Sequence, residues 1–262
     1  MSRTDKRRRK SNLPLAGETK KTLHRNLEFT ATEQYKLIRA NLDFTLPVGE
    51  KCPVIGVTSA MRGEGKSTTA VNLSYVLAER GSRVLLIDGD LRIPSIAKKM
   101  DIPSTPGLTD VLMNKGAQQL TDFRTELLNT WFIMPSGDIP PNPSELLSSK
   151  RMESALRGLR EHFDYIIIDL PPVNIVSDAV AVSNYITGMI VVVREEYTEK
   201  KELEHCFRQL KLSNVKVLGC VMNGTQTGGG SYSRYKKYKY YKYYRYYKND
   251  YYYKTPQKDK ES

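Results

Sequence analysis

The sequence predicts an α/β fold, a doubly wound and mostly parallel sheet with helices on both faces, on three observations. Apolar runs of four to six residues alternate with longer amphipathic stretches from about residue 53 to residue 221, the pattern of strands buried on both sides. A glycine-rich, lysine-bearing segment falls between the first run and the helix after it. Two later runs each end in aspartate.

Taken in order, strands are expected at 53–58, 83–88, 131–134, 165–169, 189–194 and 216–221. Residues 31–46, ATEQYKLIRANLDFTL, place Tyr35, Leu37, Ile38, Leu42 and Phe44 at near-helical spacing ahead of the first strand. Helices follow at 65–80, closed by Gly81, at 144–162, entered through Pro143 and Ser144, and at 199–211. The right-handed crossover rule then places a ligand site at the carboxyl ends of the strands. The chain divides into a basic, flexible segment at 1–28, a nucleotide-binding domain at 29–224 and a flexible tail at 225–262, entered through TQTGGGS.

Residues 60–67 read AMRGEGKS, a P-loop with alanine at the usual first glycine. Gly63 and Gly65 permit the turn that aims the N–H groups of Gly63, Glu64, Gly65, Lys66, Ser67 and Thr68 at phosphate oxygens, and the helix start adds partial positive charge. Lys66 is expected on the β- and γ-phosphates and Ser67 on magnesium, which makes ATP and Mg²⁺ the expected cofactors. VLLIDGDLR at 84–92 ends its strand at Asp88 with Asp90 two residues on, and YIIIDLPP at 165–172 ends its strand at Asp169. A carboxylate directly after four apolar residues is poorly solvated unless a cation or charged ligand lies beside it. Ser67, Asp90 and Asp169 suit Mg²⁺, some through water. Asp88 is then free to orient or deprotonate an attacking hydroxyl, so Lys66, Asp88 and Asp90 form the expected catalytic set.

The net charge of +12 resides at the two ends. Residues 1–10 carry six basic residues against Asp5, residues 231–254 carry eight against Asp250, and +5 with +7 makes the whole sum, so the central body is balanced. The second stretch, SYSRYKKYKYYKYYRYYKNDYYYK, holds twelve of the chain's 17 tyrosines: Tyr232, Tyr235, Tyr238, Tyr240, Tyr241, Tyr243, Tyr244, Tyr246, Tyr247, Tyr251, Tyr252 and Tyr253. By composition alone it suits a tyrosine-modifying reaction, a single-stranded nucleic acid or an anionic membrane surface equally. Cys52, Cys206 and Cys220 lie far apart, odd in number and without metal-ligand spacing, which supports neither a disulfide framework nor a zinc site. No apolar run reaches the roughly 18 residues of a membrane span, and a cytoplasmic location is expected.

The motifs AMRGEGKST, LLIDGDLR and IIIDLPP, the segment GDIPPNPSELLSS at 137–149 and the terminal tyrosine cluster together resemble the bacterial protein-tyrosine kinases of capsule and exopolysaccharide synthesis. That family is similar in fold to the MinD and ParA P-loop ATPases, whose extra lysine would fall at Met61 and is absent here. The resemblance implies an ATP-dependent tyrosine autokinase with Lys66, Ser67, Asp88, Asp90 and Asp169 in the roles above and the twelve tail tyrosines as phosphoacceptors in trans. It also implies a homo-oligomeric ring, an octamer, built through a charged helix motif matched by Glu33, Lys36 and Arg39. Lysine there replaces the usual arginine and lacks its planar fork. Further implied are a separate transmembrane activator that recruits the chain to the membrane, a cognate tyrosine phosphatase and other protein substrates. The alternative is a ParA- or MinD-like ATPase switch whose tail binds nucleic acid.

Overall fold

The computed structural model describes residues 29–115 and 123–225. The expectations for the basic first segment and for the tyrosine-rich tail lie outside the described residues. Six parallel strands form one sheet in the order β3-β2-β4-β1-β5-β6: β1 Val54–Ser59, β2 Val84–Asp88, β3 Trp131–Met134, β4 Tyr165–Asp169, β5 Gly188–Arg194 and β6 Val217–Asn223. The chain builds from β1 to one side and later returns to build on the other, so β1 marks the reversal where such sheets open a crevice.

Helices cover both faces. On one side lie α1 (Phe29–Thr45), α2 (Lys66–Glu79) and α3 (Ile96–Met100), which share a core with Ile55, Val57, Leu86, Ile167 and Val192. On the other lie α4 (Leu108–Met113), α5 (Pro143–Leu147), α6 (Lys150–Leu159), α7 (Asp178–Ala181) and α8 (Lys200–Leu212), packed on Leu85, Ile87, Ile166, Ile168 and Val191. Successive strand residues therefore feed opposite cores, which explains the continuous apolar runs. The polar groups drawn inside find partners: the Trp131 indole donates to the Ser74 hydroxyl at 3.0 Å, and Ser74 donates to the Val71 carbonyl at 2.8 Å.

Most expected elements form within two residues of their expected bounds. The helix expected at 144–162 is two helices. Ser149 adopts extended dihedrals, its hydroxyl accepts from the Met152 N–H at 3.2 Å and donates to the Leu146 carbonyl at 2.7 Å, and so one serine closes α5 and caps α6. Gly81, at φ +96°, follows α2 and donates to the Ala78 carbonyl, as expected of a helix-closing glycine. The short helices α3, α4 and α7 were not expected. Each has six residues or fewer, too short to show a periodic apolar stripe.

Candidate active site

The sheet itself assembles the acids. β2 and β4 are parallel neighbours in register, with Asp88 opposite Asp169, and both are the last residue of their strand. Gly89 prolongs the ladder by donating to the Asp169 carbonyl at 2.8 Å, and a Cβ there would lie 2.8 Å from the Ile168 side chain and 3.0 Å from that carbonyl. β1, on the other side of β4, delivers the P-loop to the same edge. All three motifs arrive at one end because every strand runs the same way.

Within the loop, Gly63 and Gly65 take φ +79° and +96°, the left-handed region that favours glycine. A Cβ at Gly65 would sit 2.3 Å from the Asn223 side-chain nitrogen. The first N–H groups of α2, from Lys66 to Thr68, have no helix carbonyl one turn back and Gly65 offers no side-chain cap, a geometry suited to an anion.

Lys66 joins the loop to the acids. Its Nζ lies 2.8 Å from Asp90 Oδ2, 3.5 Å from Asp169 Oδ1 and 3.3 Å from Ser67 Oγ. Burial pulls its pKa down, but the Asp169 and Asp90 carboxylates prevail and hold it above the ordinary lysine value. Asp88, fully buried, is pushed up to about 7 by burial and by the neighbouring Asp169 charge, against the N–H groups of Ile96 and Ser95 that favour its ionised form. Those N–H groups donate to Asp88 Oδ2 at 2.9 and 3.0 Å, so Asp88 also caps α3. Asp169 is likewise raised, by burial first, with Lys66 and Ser67 opposing.

Asp169 Oδ2 is buried without a hydrogen-bond partner. Such an acceptor is costly unless a cation or donor arrives with a ligand. With Ser67, Asp90 and the phosphates of a bound nucleotide, it makes an oxygen-rich donor set that fits Mg²⁺. Among the described residues, no three His, Cys, Asp or Glu side chains are grouped to hold a metal by themselves.

The structure thus brings together Lys66, Ser67, Asp88, Asp90 and Asp169. It gives Glu64 a different use from the one its place in the loop suggests. That side chain is 1% exposed and accepts from the Met61 N–H at 2.8 Å and from the Thr198 hydroxyl, so its carboxylate braces the loop from within. Glu33 and Lys36 pair with each other at 2.9 Å on α1, and Arg39 donates to the Val76 carbonyl of its own chain at 2.6 Å.

Two groups of residues were missed at the sequence level. The segment after β5 clasps the loop from outside: Arg194 donates to the Gly63 carbonyl at 2.9 Å, Tyr197 to the Arg62 carbonyl at 3.0 Å, and Thr198 to Glu64. Asn223, at the end of β6, donates to the Glu64 carbonyl at 3.0 Å. On the acid side, Arg92 reaches buried Asp178 through Nε at 2.8 Å and a second nitrogen at 3.1 Å, and Ser144 joins them. Nothing in REEYTEK or SDAVA distinguishes these residues from ordinary turn and cap residues. The one available signal was the arginine two residues after Asp90, within the already suspicious LIDGDLR.

An AAA domain family profile matches residues 52–218. The tyrosine-protein kinase YwqD of Bacillus subtilis is 40% identical over 194 residues, 74% of this chain and 81% of that one. The tyrosine-protein kinase CpsD of a Streptococcus pneumoniae strain is 36% identical over 206 residues, 76% of this chain and 87% of that one. The crystal structure of the chimerical protein CapA2B2 superposes with a TM-score of 0.70 at 34% identity, covering 74% of this chain and 85% of that one.

Proposed function

The chain belongs to the bacterial tyrosine-protein kinase family, and from that premise we propose how its residues divide the transfer of the ATP γ-phosphoryl group to tyrosine. It is a nucleotide-using protein-tyrosine kinase. The backbone from Gly63 to Thr68 cradles the phosphates, and Lys66 exchanges its Asp90 and Asp169 contacts for phosphate oxygens as nucleotide enters. Mg²⁺, held by Ser67, Asp90 and Asp169 in part through water, would supply charge neutralisation on the β- and γ-phosphates. Asp88 orients the incoming phenol and takes its proton. A carboxylate raised towards neutrality is matched to that work, since an ordinary one is a weak base towards a phenol of pKa about 10. The phenolic oxygen bonds to the γ-phosphorus, the bond to the bridging oxygen breaks, and ADP leaves.

The observation that carries this reading is the meeting of Lys66, Asp90 and Asp169 beside an unpartnered Asp169 oxygen at the mouth of the P-loop. The acceptors are the twelve tail tyrosines, reached in trans. From Gly224 to Tyr253 is 29 residue steps, which covalent geometry lets span at most roughly 100 Å. The test pairs full-length Lys66→Met chain, as acceptor, with a kinase-competent chain whose twelve tail tyrosines are phenylalanine. Phosphotyrosine on the Lys66→Met tail is expected, and its absence would sink transfer in trans.

The same reading includes a homo-oligomeric ring through α1, supported by the exposure of Phe29, Leu37 and Phe44 along the helix that carries Glu33, Lys36 and Arg39. No described helix is long and apolar enough to cross a membrane. We assign recruitment to the membrane to a separate spanning activator, resetting to a tyrosine phosphatase, and the biological output to capsular or exopolysaccharide synthesis and export. Each phosphotyrosine adds about −1.5 to −2 charge, so about four cancel the tail's +7 and further ones repel it from an acid-lined site.

A further inference from the structure

Five tyrosines lie outside the tail, and they are not equivalent. Tyr35 is buried, Tyr75, Tyr165 and Tyr185 are partly covered, and Tyr197 is 49% exposed. The Tyr185 hydroxyl is held by the Ser148 carbonyl and that of Tyr165 by Asp43, both away from the crevice. Tyr197 alone of the five rests its hydroxyl on the P-loop, at the Arg62 carbonyl, 3.0 Å away. The Arg194 guanidinium lies over its ring, 5.2 Å from the centroid, while also donating to the Gly63 carbonyl at 2.9 Å. Phenol and guanidinium therefore hold two successive loop carbonyls and touch each other.

We propose that Tyr197 is an internal phosphoacceptor whose modification releases the P-loop. The proposal rests on the tyrosine-kinase reading above. A second copy of the chain transfers the phosphoryl group: the Tyr197 phenolic oxygen bonds to the γ-phosphorus of the donor copy's ATP, the bond to the bridging oxygen breaks, ADP departs, and the phenol proton passes to the donor copy's Asp88. Two contacts are then lost together. The phenol no longer has a hydrogen to donate to the Arg62 carbonyl, and a dianionic ester beside that oxygen repels it. The new phosphate lies on the ring that Arg194 already covers, and a charge-assisted bond to phosphate outcompetes a single bond to a neutral carbonyl, so Arg194 leaves Gly63. Glu64 and Thr198 still brace the loop's inner side. The loop is loosened at Arg62 and Gly63, where it must be shaped for nucleotide, without unfolding. Modification in the tail changes how the tail docks; modification at Tyr197 weakens nucleotide binding in the modified copy.

The test uses full-length chain incubated with ATP and Mg²⁺ and then digested with trypsin. Cleavage after Arg194 and Lys200 releases residues 195–200, EEYTEK, in which Tyr197 is the sole tyrosine. Phosphate on this peptide, localised by fragmentation to Tyr197 and not Thr198, is expected in the wild type and in the chain with twelve tail phenylalanines, and is lost in Lys66→Met. Tail peptides in the wild-type digest separate the two readings. A phosphorylated tail with an unmodified Tyr197 overturns this proposal alone, whereas no phosphotyrosine anywhere overturns the kinase reading and this one with it. The consequence is read by fluorescent ADP binding to chain with phosphotyrosine incorporated at 197. Affinity about tenfold or more below wild type is expected, against about threefold for Tyr197→Phe, which loses one hydrogen bond and keeps the ring under Arg194. Equal affinity of the phosphorylated and wild-type chains overturns the release.

Discussion

The two flanks of the P-loop are built on opposite principles. On the β5 and β6 side, Arg194, Tyr197, Thr198 and Asn223 meet loop carbonyls and the Glu64 carboxylate in complementary pairs. On the β2 and β4 side, three carboxylates crowd one ammonium, Asp88 is pushed up to about 7, and a buried Asp169 oxygen has no partner. The satisfied flank holds the loop in shape before any ligand arrives. The unsatisfied flank is costly as it stands, and on the reading proposed above phosphate and cation would relieve that cost, so that its imbalance would contribute to binding.

The sharpest way to break this contrast is to remove the cation that restrains the acids. Lys66→Met is expected to lower tail phosphorylation at least about a hundredfold, read by anti-phosphotyrosine blotting. It also leaves Asp88, Asp90 and Asp169 uncompensated, and urea unfolding without nucleotide should show a loss of about 3–5 kcal/mol at pH 8, shrinking at acid pH as Asp88 and Asp169, both raised, take up protons.

Next in size is an attack on the shape of the loop. Gly65→Ala combines φ +96° with a Cβ 2.3 Å from Asn223, and we expect nucleotide affinity to fall at least about tenfold, since strained left-handed backbone costs about 1–3 kcal/mol. Adding Asn223→Ala relieves the collision but not the dihedral, so the double variant should recover only part of the affinity. Full recovery in a calorimetric titration would show that crowding alone sets the requirement for glycine.

A change confined to the satisfied flank should behave differently. Glu64→Ala strands the Met61 N–H and the Thr198 hydroxyl, with an expected loss of about 1–3 kcal/mol in urea unfolding, and it leaves the three aspartates and Lys66 untouched.

A test that leaves the loop untouched is the pH dependence of Asp88 in nucleotide- and metal-free protein. Its folded pKa, about 7, lies above the ordinary 3.8, so between those values the native state binds more protons than the unfolded one. Stability therefore falls as pH rises from about 4 to about 7 and levels off above. Thermal unfolding should show that slope in the wild type and a flatter one in Asp88→Asn. Parallel slopes would mean that Asp169 carries the proton instead.

Residues whose part depends on short-range pattern were legible before the fold was known. AMRGEGKS between a strand and a helix, an aspartate at the end of each of two apolar runs, and the tyrosine-lysine stretch were each readable in a window of about ten residues. The strand ends were readable because burial on both faces leaves uninterrupted apolar runs. The split at Ser149 was not, since a serine within an amphipathic stretch reads equally as a helix interior or a cap until its hydroxyl finds the Met152 N–H.

The sequence by itself determined the P-loop motif, the three acids, the order of strands along the chain and the charged ends, because these follow from local chemistry and periodicity. Only the tertiary structure decided that Asp88 and Asp169 stand side by side, that Glu64 faces inward, that Arg92 is anchored on Asp178 and that Tyr197 rests on the Arg62 carbonyl. These contacts join residues up to 135 positions apart, and their partners are selected by strand order and register, which no short window of sequence contains.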